Sequence, residues 1–425
     1  MPRLLEPTLL WDGDRFQRGR RLRIGDDGRI AAVGSPEELP GDPERLAGAL
    51  VPGLVDAHSH AFQFALRGRA ERFGRVRGSF WSWRDAMYDL VESLDADRCH
   101  ELSLASFSEM VAHGVTAVGE FHYVRHDDAG DHRLDDAVVL AAEDAGIRLV
   151  KLVTCYQTSD IGRPLVGAQH RFDTVSVDDY LRRLDAVQAR LDGPLQSVGV
   201  VAHSVRAVAI EDIVRLHRAS LERGLPFHIH VEEVLGEIES CQAAHGCTPM
   251  RLLLDHGVVA PNVVAVHCTH SRPEDLRDYA AAGGRVCLCP VTEGNLGDGI
   301  ADLPTMRECG IPLSVGTDLN SRTDLLEELR WLEYVQRVAR RKRGVIVDPD
   351  GDTGPELLRI GTEGGAGALG LEAGRLEVGA HADLVLVDHA HPSLAGVEDE
   401  ALAAALVFSA AAGVVDRVII GGEDA

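Results

Sequence analysis

Between residues 51 and 365 the chain alternates short, continuously apolar runs with longer stretches in which apolar positions recur every three or four residues. The runs are GLVDAHSH (53–60), VTAVGEFH (115–122), IRLVKLVTCY (147–156), SVGVVAHS (197–204), FHIHVEE (227–233), VVAVHCTH (263–270), RVCLCPVTE (285–293) and PLSVGTDLN (312–320). A strand without polar alternation is buried on both faces, as in parallel sheets covered by helices. The intervening segments, such as DDAVVLAAEDAG, VDDYLRRLDAVQARL and IEDIVRLHRASLERG, follow the helical period, and several open on an acidic or hydroxyl cap and close on glycine. Eight βα units predict an α/β fold, a (β/α)8 TIM barrel over residues 51–365. A doubly wound open sheet is the alternative.

The two ends of the chain have another texture. RLRIG and RIAAVG flank the turn Asp26-Asp27-Gly28, and similar strand-like segments return in ADLVLVD and GVVDRVIIGGE. Residues 1–50 and 366–425 are therefore expected to build one small β domain, a β-sandwich, from both termini.

Polar residues gather at the C-terminal ends of the apolar runs. In a barrel that end is the catalytic face, assembled from several strands. The first run ends His58-Ser59-His60, and residues two apart in a strand point the same way, so both imidazoles converge. Further runs end with His230, His267 and Asp318. Three imidazoles and a carboxylate, here His58, His60, His230 and Asp318, suit one divalent ion such as Zn²⁺ with a position left for water, although other divalent metals remain possible.

Composition narrows the partners. Against 67 Asp+Glu stand 43 Lys+Arg, a formal charge of −24, which excludes a basic face for nucleic acid and a polybasic membrane patch. The eight cysteines contain no CxxC pair and several sit in apolar runs, so they are expected to be buried free thiols. With no signal-length apolar segment at the N-terminus and no run of membrane-spanning length, a soluble cytoplasmic protein is expected. The exposed apolar positions of EELRWLEYVQRVARRKRG offer a homodimer interface, with packing on the barrel the simpler expectation.

HxH on the first strand, histidines on the fifth and sixth and aspartate on the eighth resemble the amidohydrolase superfamily, and Glu233, three residues after His230, resembles its one-metal deaminase branch. The stretches HSHAFQ (58–63), SFWSWRDAMY (79–88), GEFHYVRHD (119–127), AHSVRAV (202–208), CPVTEGNLGDGI (289–300) and EELRWLEYVQR (327–337) are similar to the formimidoylglutamate deiminase family. The resemblance implies zinc-dependent hydrolysis of N-formimino-L-glutamate to N-formyl-L-glutamate and ammonia, as in histidine degradation. Hydroxide generated at the metal adds to the formimino carbon, Asp318 takes a proton, His267 orients the oxygen and Glu233 shuttles a proton to the leaving nitrogen. It further implies that Gln63, Arg84, Tyr123, His203 and Arg206 contact a small anionic dicarboxylate, a task that suits guanidinium forks and neutral donors. A deaminase acting on another formimino or amidino compound, or on a nucleobase, is the competing enzyme. A non-catalytic barrel would lack a ligand or the acid, and none of these residues is missing.

The same chain departs from the family pattern at Val234 and at Leu319-Asn320, all beside site residues. Lys151, mid-run, reads as structural or salt-bridged rather than as a lysine bridging two metals. Phe80, Trp81 and Trp83 read as pocket-shaping packing, Gly294, Asn295, Gly297 and Gly299 as a pocket-wall loop, and His122, His126 and His170 as structural or supporting residues.

Overall fold

A computed structural model describes residues 2–69, 71, 80–126, 132–191 and 193–425. The apolar runs form one parallel sheet of eight strands in chain order: β1 (Leu54–Ser59), β2 (Val115–His122), β3 (Arg148–Cys155), β4 (Gln196–Ser204), β5 (Phe227–Val231), β6 (Val263–His267), β7 (Arg285–Leu288) and β8 (Leu313–Val315). Every residue of β2 and β3 is buried, which is why these runs carry no alternation. Between the last strand and the first, closure is concentrated at one spot. Ser59 bridges Asp318 in parallel register, Asp318 N donates to His58 O, and His60 N donates to Asp318 O, both at 2.9 Å. The seam of the barrel therefore lies within the predicted ligand set.

Helices cover the outside by their apolar stripes. The helix Ile210–Arg223 buries Ile210, Ile213, Leu216 and Ala219 and stops at Gly224, whose φ of 66° is left-handed. The helix Leu325–Arg340 buries Leu325, Leu326, Leu329 and Leu332 but leaves Trp331 and Tyr334 about 40 % exposed and Val338 80 % exposed.

The termini join in a separate eight-stranded sheet. Its centre is the strand Glu44–Pro52, parallel to Arg3–Trp11 on one side and antiparallel to Leu384–Val387 on the other. The turn read at Asp26-Asp27-Gly28 joins Arg21–Ile24 to Ile30–Gly34. Gly28 is needed twice there, since its φ is 70° and a Cβ would fall 2.3 Å from Gly421 O. Arg148, the first residue of β3, holds Asp383 through Nε–Oδ2 at 2.7 Å and Nη2–Oδ1 at 3.0 Å. This buried fork fastens the terminal sheet to the N-terminal end of the barrel and leaves the opposite end open.

Two expectations change in detail. The run 285–293 is a strand only to Leu288, because Pro290 starts a helix (Pro290–Leu296) that contains Gly294 and Asn295 and ends on left-handed Gly297. All eight cysteines are free, six of them buried. Among the described residues no helix is long and apolar enough to cross a membrane.

Candidate active site and metal centre

Five side chains from four strand ends meet at the seam. His58 Nε2 lies 3.2 Å from His230 Nε2 and 3.3 Å from Asp318 Oδ1, and His60 Nε2 lies 3.2 Å from the same Asp318 oxygen. Ligand atoms of His58, His230, His267 and Asp318 lie within 4.8 Å of one another. His60 reaches this group through Asp318. The tautomers test whether a cation fits. His60 Nδ1 faces Phe121 O at 2.6 Å and His230 Nδ1 faces His203 O at 3.0 Å. A carbonyl only accepts, so each Nδ1 carries the proton and each Nε2 presents a lone pair inward. Lone pairs and a carboxylate at such distances repel unless a cation lies among them, and this donor set suits a divalent one. Burial pushes His58 down to about 3 and lowers His60 and His230, which keeps the imidazoles neutral as ligands must be.

The backbone that carries these groups is unusual. Six described non-glycine residues have positive φ, and five of them, Glu232, His267, Cys268, Asp318 and Asn320, cluster at the ends of β5, β6 and β8. Such conformations persist where surrounding structure over-determines them, and they concentrate at functional sites. A chain of buried hydrogen bonds supplies that support. Asp56 Oδ1 accepts from His58 N at 3.2 Å and Thr317 N at 3.1 Å, Asn320 Nδ2 donates to Ser59 Oγ at 3.0 Å, and Ser59 Oγ donates to Glu120 Oε2 at 2.7 Å. Burial raises Asp56 to about 7 and Glu120 to about 8.

His267 stands between three carboxylates. Its Nε2 is 3.8 Å from Glu233 Oε1 and 3.9 Å from Asp318 Oδ2, and its Nδ1 is 3.5 Å from Glu293 Oε1. Burial opposes a charged imidazole, but Glu233, Glu293 and Asp318 outweigh it and hold His267 well above its ordinary range. Burial raises Glu233. For Asp318 burial acts upward too, yet the hydrogen bond to His58 and the neighbouring imidazoles bring it below the usual carboxylate range.

One cavity opens above these groups. His60, His230, Glu233, His267 and Asp318 line it, together with Gln63, Arg84, Tyr123, His203 and Arg206. Every residue expected at the site is thus brought to the same space, with His58 buried beneath. Gln63 Nε2 donates to Tyr123 Oη at 2.8 Å. Arg84 comes from α1 (Phe80–Glu92), its Cζ 5.5 Å from the Tyr88 ring centre. Trp83 lines the cavity, whereas the side chains of Phe80 and Trp81 lie outside the described residues. None of Gly294, Asn295, Gly297 or Gly299 is in its wall, because the helix after β7 carries that segment outward, where Asn295 Nδ2 donates to Glu71 Oε1 at 2.8 Å. Lys151 is in β3 with Nζ 2.9 Å from Asp135 Oδ1. His122 is buried on β2, His126 Nε2 donates to Asp173 O at 2.9 Å, and His170 is exposed.

Sequence reasoning missed Met87, Tyr88, Tyr156 and Phe172 in the wall and Glu293 behind His267. The signal available for Glu293 and Tyr156 was their position at a run's end.

Residues 49–424 match the model of the amidohydrolase family. The chain is 37% identical over 424 residues to the formimidoylglutamate deiminase of Pseudomonas aeruginosa, covering 98% of this chain and 92% of that one. It is 29% identical over 377 residues to a 5-methylthioadenosine/S-adenosylhomocysteine deaminase of Pelotomaculum thermopropionicum, with 88% and 79% covered. Among solved structures, an amidohydrolase from Brucella melitensis superimposes with a TM-score of 0.91 at 32% identity, covering 99% of this chain and 94% of that one. An adenosine deaminase from Xanthomonas campestris with bound zinc shares the fold, with a TM-score of 0.84 at 23% identity over 99% and 92% of the two chains.

Proposed function

The chain belongs to the amidohydrolase family, and from that premise we propose that it is a zinc-dependent formimidoylglutamate deiminase, hydrolysing N-formimino-L-glutamate to N-formyl-L-glutamate and ammonia. Hydrolysis of a C–N bond is common to the family match and the deiminase relative. The observation that carries the substrate is the pair Arg84 and Arg206 in the same cavity as the histidine and carboxylate cluster. Guanidinium forks complement carboxylates, so a dianion is gripped at one end while its formimino carbon faces the other. A neutral purine or nucleoside has no use for two cations in its pocket.

His58, His60, His230 and Asp318 would hold the ion, with His267 beside them. When bound, zinc makes hydroxide available near neutral pH by lowering the pKa of water from ~15.7 to ~7. The remaining work falls to side chains. Asp318 accepts the proton as water oxygen bonds to the formimino carbon and its C=N becomes a single bond. His267, between Glu233 and Asp318, hydrogen-bonds that oxygen and fixes its direction of approach. Glu233, entering protonated, gives its proton to the terminal nitrogen as the C=N becomes single, then carries the remaining hydroxyl proton to the same nitrogen; the C–N bond breaks, ammonia departs, the carbon becomes the formyl carbonyl, and the proton held by Asp318 returns to Glu233. Gln63 and Tyr123, joined by their own hydrogen bond, are with His203 the neutral partners of the dicarboxylate.

The test is ammonia release by purified zinc-loaded protein across N-formimino-L-glutamate, N-formimino-L-aspartate, guanidino acids and purines. Turnover of purines with none of the acids would sink the proposal.

A further inference from the structure

Two tyrosines share the cavity with the arginines, and a glutamine behind its wall sets the direction of both hydroxyls. Gln169 sits in the 3-10 turn Gly167–Phe172 and is 2% exposed. Its Oε1 accepts from Val166 N at 3.2 Å. A backbone N–H can only donate, so this contact fixes which way the amide faces. Nε2 is then turned to Tyr88 Oη at 2.9 Å, on α1, and to Tyr156 Oη at 3.2 Å, just past β3. An amide NH₂ has two protons, and both are used. Each phenol oxygen is an acceptor in this contact and keeps its own proton for another partner. Among the described residues, neither hydroxyl has an acceptor for that proton within hydrogen-bonding distance, while both tyrosines line the cavity.

The rings are held as well as the oxygens. Tyr156 packs against His203 and Phe172 with ring centres 4.6 and 5.2 Å away, and Tyr88 lies 6.4 Å from Phe172. Burial pushes the Tyr156 phenol up to about 12, so it remains a donor across the working pH range. A carboxylate is acceptor-only, with about four lone-pair sites. Two arginine forks and two outward O–H groups around one cavity form a set of donors suited to a carboxylate.

On the reading of the site given above, we propose that Tyr88 and Tyr156 donate to a substrate carboxylate beside Arg84 and Arg206, and that Gln169 is the positioning residue that turns both O–H groups into the pocket. Gln169→Glu is the telling variant. It keeps the volume and the Val166 contact, but its second oxygen accepts from both phenols and draws their protons out of the cavity.

The experiment measures glutarate binding by calorimetry on the zinc-loaded protein, together with kcat and KM for N-formimino-L-glutamate. It compares the wild type, Tyr88→Phe, Tyr156→Phe, Gln169→Leu, Gln169→Glu and the Gln169→Glu/Tyr156→Phe double variant. Each Phe variant is expected to raise the glutarate Kd and the KM about tenfold, the scale of one hydrogen bond to a charged group, with kcat within about twofold. Gln169→Glu is expected to raise both at least as far, and adding Tyr156→Phe to it to cost little more. Unchanged Kd in both Phe variants, full additivity of the double variant, or no glutarate binding to the wild type overturns the inference. The Phe variants and Gln169→Glu preserve volume, so they carry the test if Gln169→Leu fails to fold. Glutarate binding weakened in the Phe variants without turnover of N-formimino-L-glutamate by the wild type would retain the carboxylate donors and refute the deiminase reading alone.

Discussion

Arg206→Met removes the guanidinium and keeps the unbranched apolar stem, so it isolates recognition of the substrate's carboxylate from the chemistry at the metal end. Arg206 follows β4 into the cavity, and its Nε has no partner among the described residues. Burial opposes its charge, but Glu237, Tyr156, Glu233 and Asp160 raise its pKa, so the cation is held ready for a ligand. A bidentate carboxylate loses two charge-assisted hydrogen bonds, each about 1.5–3 kcal/mol. If water restores about half of the larger sum, about 3 kcal/mol remains, or roughly 150-fold in kcat/KM at 1.36 kcal/mol per decade. The contact is remote from the formimino carbon and similar in ground and transition states, so most of the loss should appear in KM. The variant should still fold. Glu237, 2% exposed, already has its carboxyl raised to about 7 by burial although Arg206 pulls it down, and without the arginine it takes up a proton instead of standing as an unpaired buried charge. Initial rates of ammonia release would be compared for N-formimino-L-glutamate and an alkyl formamidine lacking carboxylates. An unchanged KM for the dicarboxylate, or an equal loss for the carboxylate-free amidine, would refute the reasoning.

Three further outcomes are expected. Chelation should abolish ammonia release and lower Tm, and zinc at about 100 times its Kd should return about 2.7 kcal/mol of stability; a Tm indifferent to chelator would count against a metal in the folded state. Asp135→Asn should cost about 3–5 kcal/mol in urea denaturation at pH 7, because buried Lys151 loses its carboxylate partner at 2.9 Å. Burial acts upward on Asp135, but Lys151, His122, Arg125 and Arg183 hold it well below the carboxylate range. A depressed folded pKa stabilises fully above the unfolded value near ~3.9 and loses its contribution as pH falls toward the folded value. The gap between wild type and variant should therefore stay level from pH 7 to about pH 5 and shrink below about pH 4, and a constant gap down to pH 3 would contradict the assignment. Finally, the charge of −24 repels an anionic dicarboxylate at long range, so kcat/KM for N-formimino-L-glutamate should rise with ionic strength; stopped-flow or steady-state rates independent of salt would make the acidic exterior irrelevant to capture.

The barrel was legible because strands buried on both faces leave continuous apolar runs, and the candidate histidine cluster because polar residues gather at the C-terminal ends of those runs. The runs were overread at their C-terminal ends. Strand β5 stops at Val231, β6 at His267, β7 at Leu288 and β8 at Val315, each short of the polar tail of its run. No residue propensity marks Glu232 or Cys268 for positive φ, and the mild tolerance of His and Asp does not single out His267 or Asp318; packing and hydrogen bonds from other strands impose it. The tyrosine pair escaped for a different reason. Gln169 lies 81 residues from Tyr88 and 13 from Tyr156, and neither spacing has a local meaning until the turn Gly167–Phe172 is brought against α1.

The departure Leu319-Asn320 divides into two parts once the seam is visible. Asn320 is fully buried, and its amide faces the Thr317 hydroxyl with one end and donates to Ser59 Oγ with the other. Thr317 precedes Asp318, and Ser59 separates His58 from His60. The asparagine thus ties β8 to β1 where backbone pairing is reduced to a single bridge, and its work concerns the spacing of the ligands. Leu319 instead lines the cavity with Gln63 and Trp83. An apolar side chain there adds no donor for a carboxylate and no acceptor for an amidine, so it shapes the pocket without altering the charge pattern that Arg84 and Arg206 create. A change next to Asp318 therefore leaves both the neutral imidazole set and the cationic end in place, and the reading of the substrate stands on the arginines, whatever follows Asp318 in the chain.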